Sequence, residues 1–280
     1  MSSDPPPRVD AILVPLDGSK FSEIALPVAA ALAGRLNAEI HLLSAVGTED
    51  EVAERQSQLA AIELPGLRVH SVVVVDLDAA GAIHTELRRL GGAVACMASH
   101  GRGRSAALVG SVATDVVARG HDPLIVVGPF ISEELKGTGV LVCVDETPES
   151  AALVPIALRW ARLFGEALTV VTVAEPVPPP VRDVPVYRRF GPRGDVEGFL
   201  EALAAPVRAE GDDVDTLVVW DPISPAEGMR SYLDEHPVGL VVVGSHARRG
   251  LARFAFGSVA ASIVHHSPSP VLVVPRADIR

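Results

Sequence analysis

The chain has 280 residues, of which 48% are hydrophobic, 4% aromatic and 21% charged, and its formal net charge is −11. This apolar content suffices for two cores of about 140 residues each, built from aliphatic side chains. The negative charge argues against a general surface for nucleic acid or for an anionic membrane, so a phosphate site would have to be local.

Apolar runs of strand length alternate with segments of helical period from the start of the chain. In the first half the predicted strands are 9–15, 38–46, 67–75, 93–99 and 124–127, and the predicted helices are 22–36, 51–63, 79–90 and 111–119. The second half follows the same order, with predicted strands at 139–144, 168–174, 215–220, 239–244 and 271–274. An insertion rich in proline and glycine at 175–195 is predicted to be irregular, as a lid, an interaction loop or a surface excursion.

The two halves also repeat each other residue by residue. ILVPLDGSKFSE from Ile12 is answered by VLVCVDETPESA from Val140, and SHGRGRSAALVGSVA from Ser99 by SHARRGLARFAFGSVA from Ser245. A repeat this long indicates two domains of one fold, predicted at 1–131 and 138–280. Alternating strands and helices predict a doubly wound α/β sheet in each domain, with its ligand beyond the carboxyl ends of the strands.

The repeated Gly-Ser bends are the strongest candidates for a phosphate site. A helix follows each bend, so its N–H groups, its dipole and a serine hydroxyl are available to an anion. The alternative is a serine that simply caps the helix. The candidates are Gly110, Ser111 and Val112 in the first half and Gly257, Ser258 and Val259 in the second.

An aspartate follows the opening strand of each half, and it suits a ribose hydroxyl or an adenine amino group. Asp17 and Asp145 equally resemble turn or helix-cap residues, so both interpretations stay open. The loops after the fourth strands carry basic side chains suited to outer phosphates, although a solvated loop would also hold them: Arg102, Arg104, Arg248, Arg249 and Arg253. His100 and His246 are expected to shape these loops by hydrogen bonding, because no catalytic or metal-ligand spacing surrounds them.

Both halves resemble the universal stress protein family in tandem, through LVPLDGS, LVCVDET and the closing loops. Nucleotide-binding members carry G-x2-G-x9-G-[S/T] in that loop, and neither copy here is intact. The first copy has Ala98 at the leading position, keeps Gly101 and is one residue short. The second keeps Gly244 and has Ala247 at the middle position.

The resemblance implies an adenine nucleotide alpha hydrolase-like, Rossmann-like fold of two five-stranded parallel sheets in the order 3-2-1-4-5. It implies that the closing strands of the two halves pair in an intrachain pseudo-dimer, with association into a homodimer left open. It also implies a site for ATP or another adenine nucleotide, with Mg²⁺. Besides the residues above, this site would include Pro15, Leu16, Ala45, Val144 and Val173, with Ala45 and Val173 packed against adenine.

Three functions stay open: a regulatory nucleotide-binding module with an unknown protein partner, a nucleotide-free interaction protein, and a slow ATPase. Cys96 and Cys143 lie in apolar runs and predict buried thiols of a reducing compartment. No apolar run reaches the length of about 18 residues that a membrane helix needs. We therefore expect a cytoplasmic protein that binds neither membranes nor nucleic acid.

Overall fold

The structure is a computed structural model that describes residues 8–100, 109–120, 122–131, 135, 137–145, 147–174, 193–245 and 256–275. The first half contains β1 Ala11–Pro15, α1 Ala25–Leu36, β2 Glu39–Val46, α2 Val52–Ala60, β3 Val69–Val75, α3 Ala79–Leu90, β4 Ala93–Ala98, α4 Ser111–Arg119 and β5 Leu124–Val127. The second half contains β6 Val140–Cys143, α5 Pro148–Ala151, α6 Leu153–Phe164, β7 Leu168–Ala174, α7 Arg193–Ala209, β8 Val214–Trp220, α8 Pro225–Glu235, β9 Leu240–Gly244, α9 Ser258–His266 and β10 Val271–Val274.

The strands form one ten-stranded sheet in the order β3-β2-β1-β4-β5-β10-β9-β6-β7-β8. Each half therefore has the predicted 3-2-1-4-5 order, and its strand pairs are parallel. The halves meet where β5 and β10 pair antiparallel, with Ile125 opposite Leu272. This pairing covers two strand edges that would otherwise be open to solvent, as the resemblance to the family implies.

Apolar side chains cover both faces of this sheet, as expected for parallel strands with helices on each side. One face packs Ile12 and Leu42 with Leu32 of α1 and Leu158 of α6. The other face packs Leu13 and Leu141 with helices α3, α4, α8 and α9. Both clusters contain residues of both halves, so the hydrophobic core is continuous across the β5–β10 seam.

One boundary of the predicted insertion is wrong. Residues 193–195 belong to the first turn of α7 rather than to an irregular segment, and Pro192 precedes them in the sequence. Proline favours the start of a helix because its fixed φ suits the first turn. The rest of the insertion, 175–192, lies outside the described residues, and the domain limits 1–131 and 138–280 stay predictions.

Candidate functional site

Each half has a cavity at the carboxyl ends of its strands. The cavity of the first half measures about 320 Å³ and that of the second half about 480 Å³. Both lie where the chain leaves the first strand for one side of the sheet and the fourth strand for the other. In doubly wound sheets this reversal of winding opens a crevice for ligands.

The predicted site residues that the structure describes all line these two cavities. Those of the first half are Pro15, Leu16, Asp17, Ala45, Ala98, His100, Gly110, Ser111 and Val112. Those of the second half are Val144, Asp145, Val173, Gly244, Gly257, Ser258 and Val259. The remaining candidates lie outside the described residues: Gly101, Arg102, Arg104, His246, Ala247, Arg248, Arg249 and Arg253.

Asp17 holds the turn that follows β1. Its Oδ1 accepts hydrogen bonds from the Ser19 backbone N–H at 2.9 Å and from the Ser19 hydroxyl at 2.6 Å. The Ser22 hydroxyl donates to the Ser19 carbonyl at 2.8 Å, which closes the turn onto the short helix before α1. Asp17 is therefore a turn residue rather than a helix cap, and this role leaves its carboxylate at the cavity wall.

The second half repeats this turn with a different side chain. Oδ1 of Asp145 accepts from the Thr147 N–H at 3.0 Å and from the Thr147 hydroxyl. Thr147 then caps α5 by accepting from the Ser150 N–H at 3.2 Å. The helix-cap role is thus taken by Thr147, and Asp145 acts by orienting that cap.

In each half one buried hydroxyl holds a peptide carbonyl at the edge of the cavity. The sequence analysis missed both hydroxyls. The Ser44 hydroxyl donates to the Leu16 carbonyl at 2.7 Å, and the Thr172 hydroxyl donates to the Val144 carbonyl at 2.7 Å. Both polar groups lie inside apolar strands, where a hydroxyl needs a partner. Their matching positions in the two copies of the repeat were the signal that could have revealed them.

The Gly-Ser bends form the start of α4 and α9. Gly110 and Gly257 are the N-cap residues, and neither has a side chain that could cap the helix. Ser111 and Ser258 are the first helical residues, so the interpretation of these serines as helix caps is wrong. The first intrahelical bonds run from Thr114 N–H to the Gly110 carbonyl and from Ala261 N–H to the Gly257 carbonyl. The backbone N–H groups of the helical residues before Thr114 and Ala261 therefore have no acceptor within the helix.

The base of the first closing loop is held by hydrogen bonds. The Ser99 N–H donates to the Val127 carbonyl at 2.8 Å, and the Gly110 N–H donates back to the Ser99 carbonyl at 2.6 Å. The Ser99 hydroxyl lies 2.9 Å from Nδ1 of His100, in agreement with a loop-shaping role for this pair. In the second half the Ser245 N–H makes the equivalent bond to the Val274 carbonyl at 2.8 Å.

The cavities differ in size because their walls differ. Met97 and Ala98 line the smaller cavity, and Val243 and Gly244 stand at the equivalent wall of the larger one. A methionine is longer than a valine, and the Ala98 methyl has no counterpart at Gly244. Both differences remove space from the first cavity, so the second half offers the roomier site.

The prediction of a buried thiol is confirmed for Cys96, whereas Cys143 is only partly buried. Burial raises the pKa of Cys96 and that of Cys143 to about 12, which keeps both protonated at neutral pH. Cys96 is fully buried, whereas Cys143 lines the larger cavity, where it adds to the apolar wall. Among the described residues, no helix is both long enough and apolar enough to cross a membrane.

The strand order and the paired clefts define a doubly wound α/β protein with one ligand cavity in each half. Residues 138–275, the second half of the chain, match the model of the universal stress protein family, which assigns this half to that family. A universal stress protein of Mycolicibacterium smegmatis is 29% identical over 147 residues, which is 50% of this chain and 49% of that protein. The match thus spans about half the length of this relative.

Solved structures extend the similarity of fold to nearly the whole chain. A universal stress protein from Archaeoglobus fulgidus DSM 4304 covers 96% of this chain and 99% of its own, with a TM-score of 0.67 and 19% identity. Another structure assigned to this family, from Pseudomonas aeruginosa UCBPP-PA14, covers 97% and 95%, with a TM-score of 0.63 and 18% identity. At these identities the likeness shows the fold alone.

Proposed function

We propose that this chain is a binding module for adenine nucleotide, ATP with Mg²⁺, and that its occupancy regulates a stress response through a protein partner. The observation that carries the proposal is the composition of the cavities. Each one joins the uncapped start of a helix to an aspartate turn and an apolar strand end. The buried thiol of Cys96 suits a reducing compartment, so we propose that the module acts in the cytoplasm.

The phosphate groups would lie at the starts of α4 and α9. The first-turn N–H groups and the positive end of the helix dipole both favour an anion there. Ser111 and Ser258 are exposed at the mouths of the cavities, where their hydroxyls can donate to phosphate oxygens. The starts of these two helices would thus provide local positive potential on a chain whose net charge is −11.

The base and ribose would lie against the strand ends. Ala45 and Val173 form part of the apolar wall, while Asp17 and Asp145 supply carboxylates at the same edge. The bonds from Ser44 and Thr172 hold the Leu16 and Val144 peptides in place, so the edge that meets the base is preorganised. Preorganisation limits the entropy lost on binding.

We expect the second half to hold nucleotide more tightly than the first. Its cavity of about 480 Å³ exceeds the 320 Å³ of the first, and both fall within the range of about 300–1,000 Å³ typical of ligand sites. Gly244 also keeps the leading glycine position, whereas Ala98 narrows the first cavity. The two sites should therefore differ in affinity.

Calorimetric titration of the full chain with MgATP tests the proposal, together with mass spectrometry of any nucleotide that heating releases from freshly purified protein. Gly257→Glu places bulk and negative charge where phosphate would bind, so we expect it to weaken the tighter site by about 10-fold or more, equal to about 1.4 kcal/mol. Gly110→Glu should do the same to the weaker site.

Gly198→Glu and Gly34→Glu are the matched controls. Both glycines lie on helices with no atom within 4 Å of an added Cβ, so the same charge is added far from the cavities. Unchanged ATP binding in the double variant of Gly110 and Gly257 would overturn the placement. If millimolar ATP binds neither site of the wild-type chain, the chain is a nucleotide-free interaction protein instead.

A further inference from the structure

Three side chains with metal-ligating atoms meet on one face of the sheet, at the end opposite the cavities. Glu39 and His41 are two residues apart on β2, so they share a face. His70 on β3 is the register partner of His41. Because neighbouring paired strands hold all three side chains, their spacing is set by the sheet and not by a loop.

The ligand atoms are already close together. Oε2 of Glu39 lies 3.0 Å from Nε2 of His70 and 3.7 Å from Nε2 of His41. The two imidazole rings stack at 4.7 Å between centroids, and the ligand atoms of all three residues fall within 4.8 Å of one another. A tetrahedral zinc ion with bonds of about 2.0–2.1 Å separates its ligand atoms by about 3.4 Å. The two stacked imidazole rings would therefore have to turn toward a common point to complete its coordination.

We propose that Glu39, His41 and His70 form a binding site for a divalent transition-metal ion, with Zn²⁺ as the ion that the donor set suits best. The two imidazole nitrogens are borderline donors that favour zinc over magnesium or calcium, and zinc also accepts a carboxylate oxygen. His70 has a side-chain exposure of 55%, so the fourth position faces solvent and can take water.

The surroundings orient the carboxylate toward this site. The Arg68 guanidinium lies 2.9 Å from Oε1 of Glu39, which leaves Oε2 as the oxygen that faces the histidines. On the covering helix α3, Glu86 is buried beside His41. Arg89 donates hydrogen bonds to both carboxylate oxygens of Glu86. The two arginines and two glutamates balance in charge, so a divalent cation meets no net repulsion from them.

The second half shows that the fold itself does not require these donors. Leu13 pairs with His41 as Leu141 pairs with Thr169, and His41 pairs with His70 as Thr169 pairs with Asp215. The equivalents of Glu39, His41 and His70 are therefore Ala167, Thr169 and Asp215, which cannot form the same three-ligand site. The duplicated sheet is built equally well without them.

Zinc at this position would link an edge strand to its neighbour. In the described part of the chain β3 lies at one end of the sheet and pairs with β2 alone. A bond from His70 to a metal held also by β2 would resist separation of these strands, in addition to their backbone hydrogen bonds. Zinc should therefore raise the melting temperature of the protein.

The test is competition of the untagged, full-length protein with a chromophoric chelator for added ZnCl₂, in nucleotide-free buffer because triphosphates bind divalent ions. We expect one zinc per chain. Glu39→Gln, His70→Gln and His41→Thr should each weaken zinc binding by at least about 100-fold, since losing even an outer-shell partner costs about 10–100-fold. His41→Thr introduces the residue that the second half carries at this position.

His236→Gln is the control, because His236 is an exposed histidine that lies on α8's C-terminal side, away from the cluster. It should keep wild-type affinity and the zinc-dependent rise in melting temperature. His70 is exposed, so His70→Gln is expected to fold, and circular dichroism of the metal-free protein checks this. Equal zinc affinity in wild type and His70→Gln, or no wild-type competition with the chelator, would overturn the site.

Discussion

At the residue scale, the two halves use different side chains to make the same hydrogen bond. Asp78 is the N-cap of α3, and its Oδ1 accepts from the Gly81 N–H at 3.1 Å. At the equivalent position Ser224 caps α8 and accepts from the Glu227 N–H at 3.2 Å. Only the aspartate carries a charge, and Arg119 pairs with its other oxygen at 2.7 Å. The two caps should therefore respond differently to pH.

The bond from Gly81, together with Arg119, lowers the pKa of Asp78 below its usual value, although partial desolvation opposes them. A lowered carboxyl pKa stabilises the folded state above the unfolded pKa of about 4, and this contribution is lost as the pH falls through the folded-state pKa. We expect Asp78→Asn to be less stable than wild type at pH 7, with a difference that shrinks in acid. Thermal melts of both proteins from pH 7 downward measure it.

Ser224→Asn is the control for that experiment. It changes the cap at the equivalent position without removing a titrating group, so its difference from wild type should not vary with pH. A constant difference for Asp78→Asn across the acid range would contradict the assignment of Asp78 as a charged cap.

At the element scale, the β5–β10 pair joins the two halves of the sheet. Ile125 and Leu272 face each other across this seam, and both are 0% exposed. Cross-strand partners in an antiparallel pair lie close enough to interact directly through their side chains. The seam is thus a hydrophobic contact as well as a row of backbone hydrogen bonds.

We expect Ile125→Ala and Leu272→Ala each to lower the free energy of unfolding by about 2–5 kcal/mol, because each leaves a cavity in a packed core. The double variant should depart from the sum of the two by about 0.5–3 kcal/mol, since the residues are neighbours. Denaturant titration of the four proteins measures this coupling.

Leu168→Ala on β7 is the reference for additivity. Leu168 is also 0% exposed, but β7 is separated from β5 by three strands. Combined with Ile125→Ala it should be additive to within about 0.5 kcal/mol. Additivity of the Ile125 and Leu272 variants as well would show that the seam is held by the backbone alone.

At the scale of the whole molecule, a polar contact on one face of the sheet links the halves a second time. Arg35 of α1 forms an ion pair with Glu166, and its guanidinium lies 4.0 Å from the centroid of the Phe164 ring. Glu166 also accepts from the Gly139 N–H. In the repeat, Leu163 of the second half corresponds to Arg35, and Ala38 of the first half corresponds to Glu166. The ion pair therefore has no counterpart at these equivalent positions.

We expect Arg35→Ala to lower the free energy of unfolding by about 1 kcal/mol, because it removes an ion pair and a cation–π contact that are both partly exposed. Arg35→Lys should lose part of this, since an ammonium group keeps the charge but not the planar stacking surface. Denaturant titration compares both variants with Arg159→Ala, which removes an exposed arginine from α6.

Arg159→Ala should stay within about 0.5 kcal/mol of wild type, as most surface substitutions do. If Arg35→Ala is no less stable than Arg159→Ala, the contact of Arg35 with Phe164 and Glu166 contributes nothing to the free energy of unfolding.

Local pattern and repetition were enough to predict most of the architecture. Alternating apolar strands and helices predict parallel units, and the repeat predicts that the first and second halves share one strand order. The carboxyl edge of such a sheet is where strand-end residues meet, so Asp17, Gly110 and Ser111 could be assigned to one cavity before any coordinates. These conclusions depend on local periodicity and on the internal repeat, both of which the sequence displays directly.

What only the tertiary structure decided depends on register and packing. His70 meets His41 because β2 and β3 pair in one register, and a shift of one residue would place their side chains on opposite faces. The sizes of the cavities depend on which side chains the fold brings to their walls, with Met97 lining one cavity and Val243 the other. Such contacts join residues far apart in the chain, and their geometry is set by the packing of the whole sheet rather than by any local sequence.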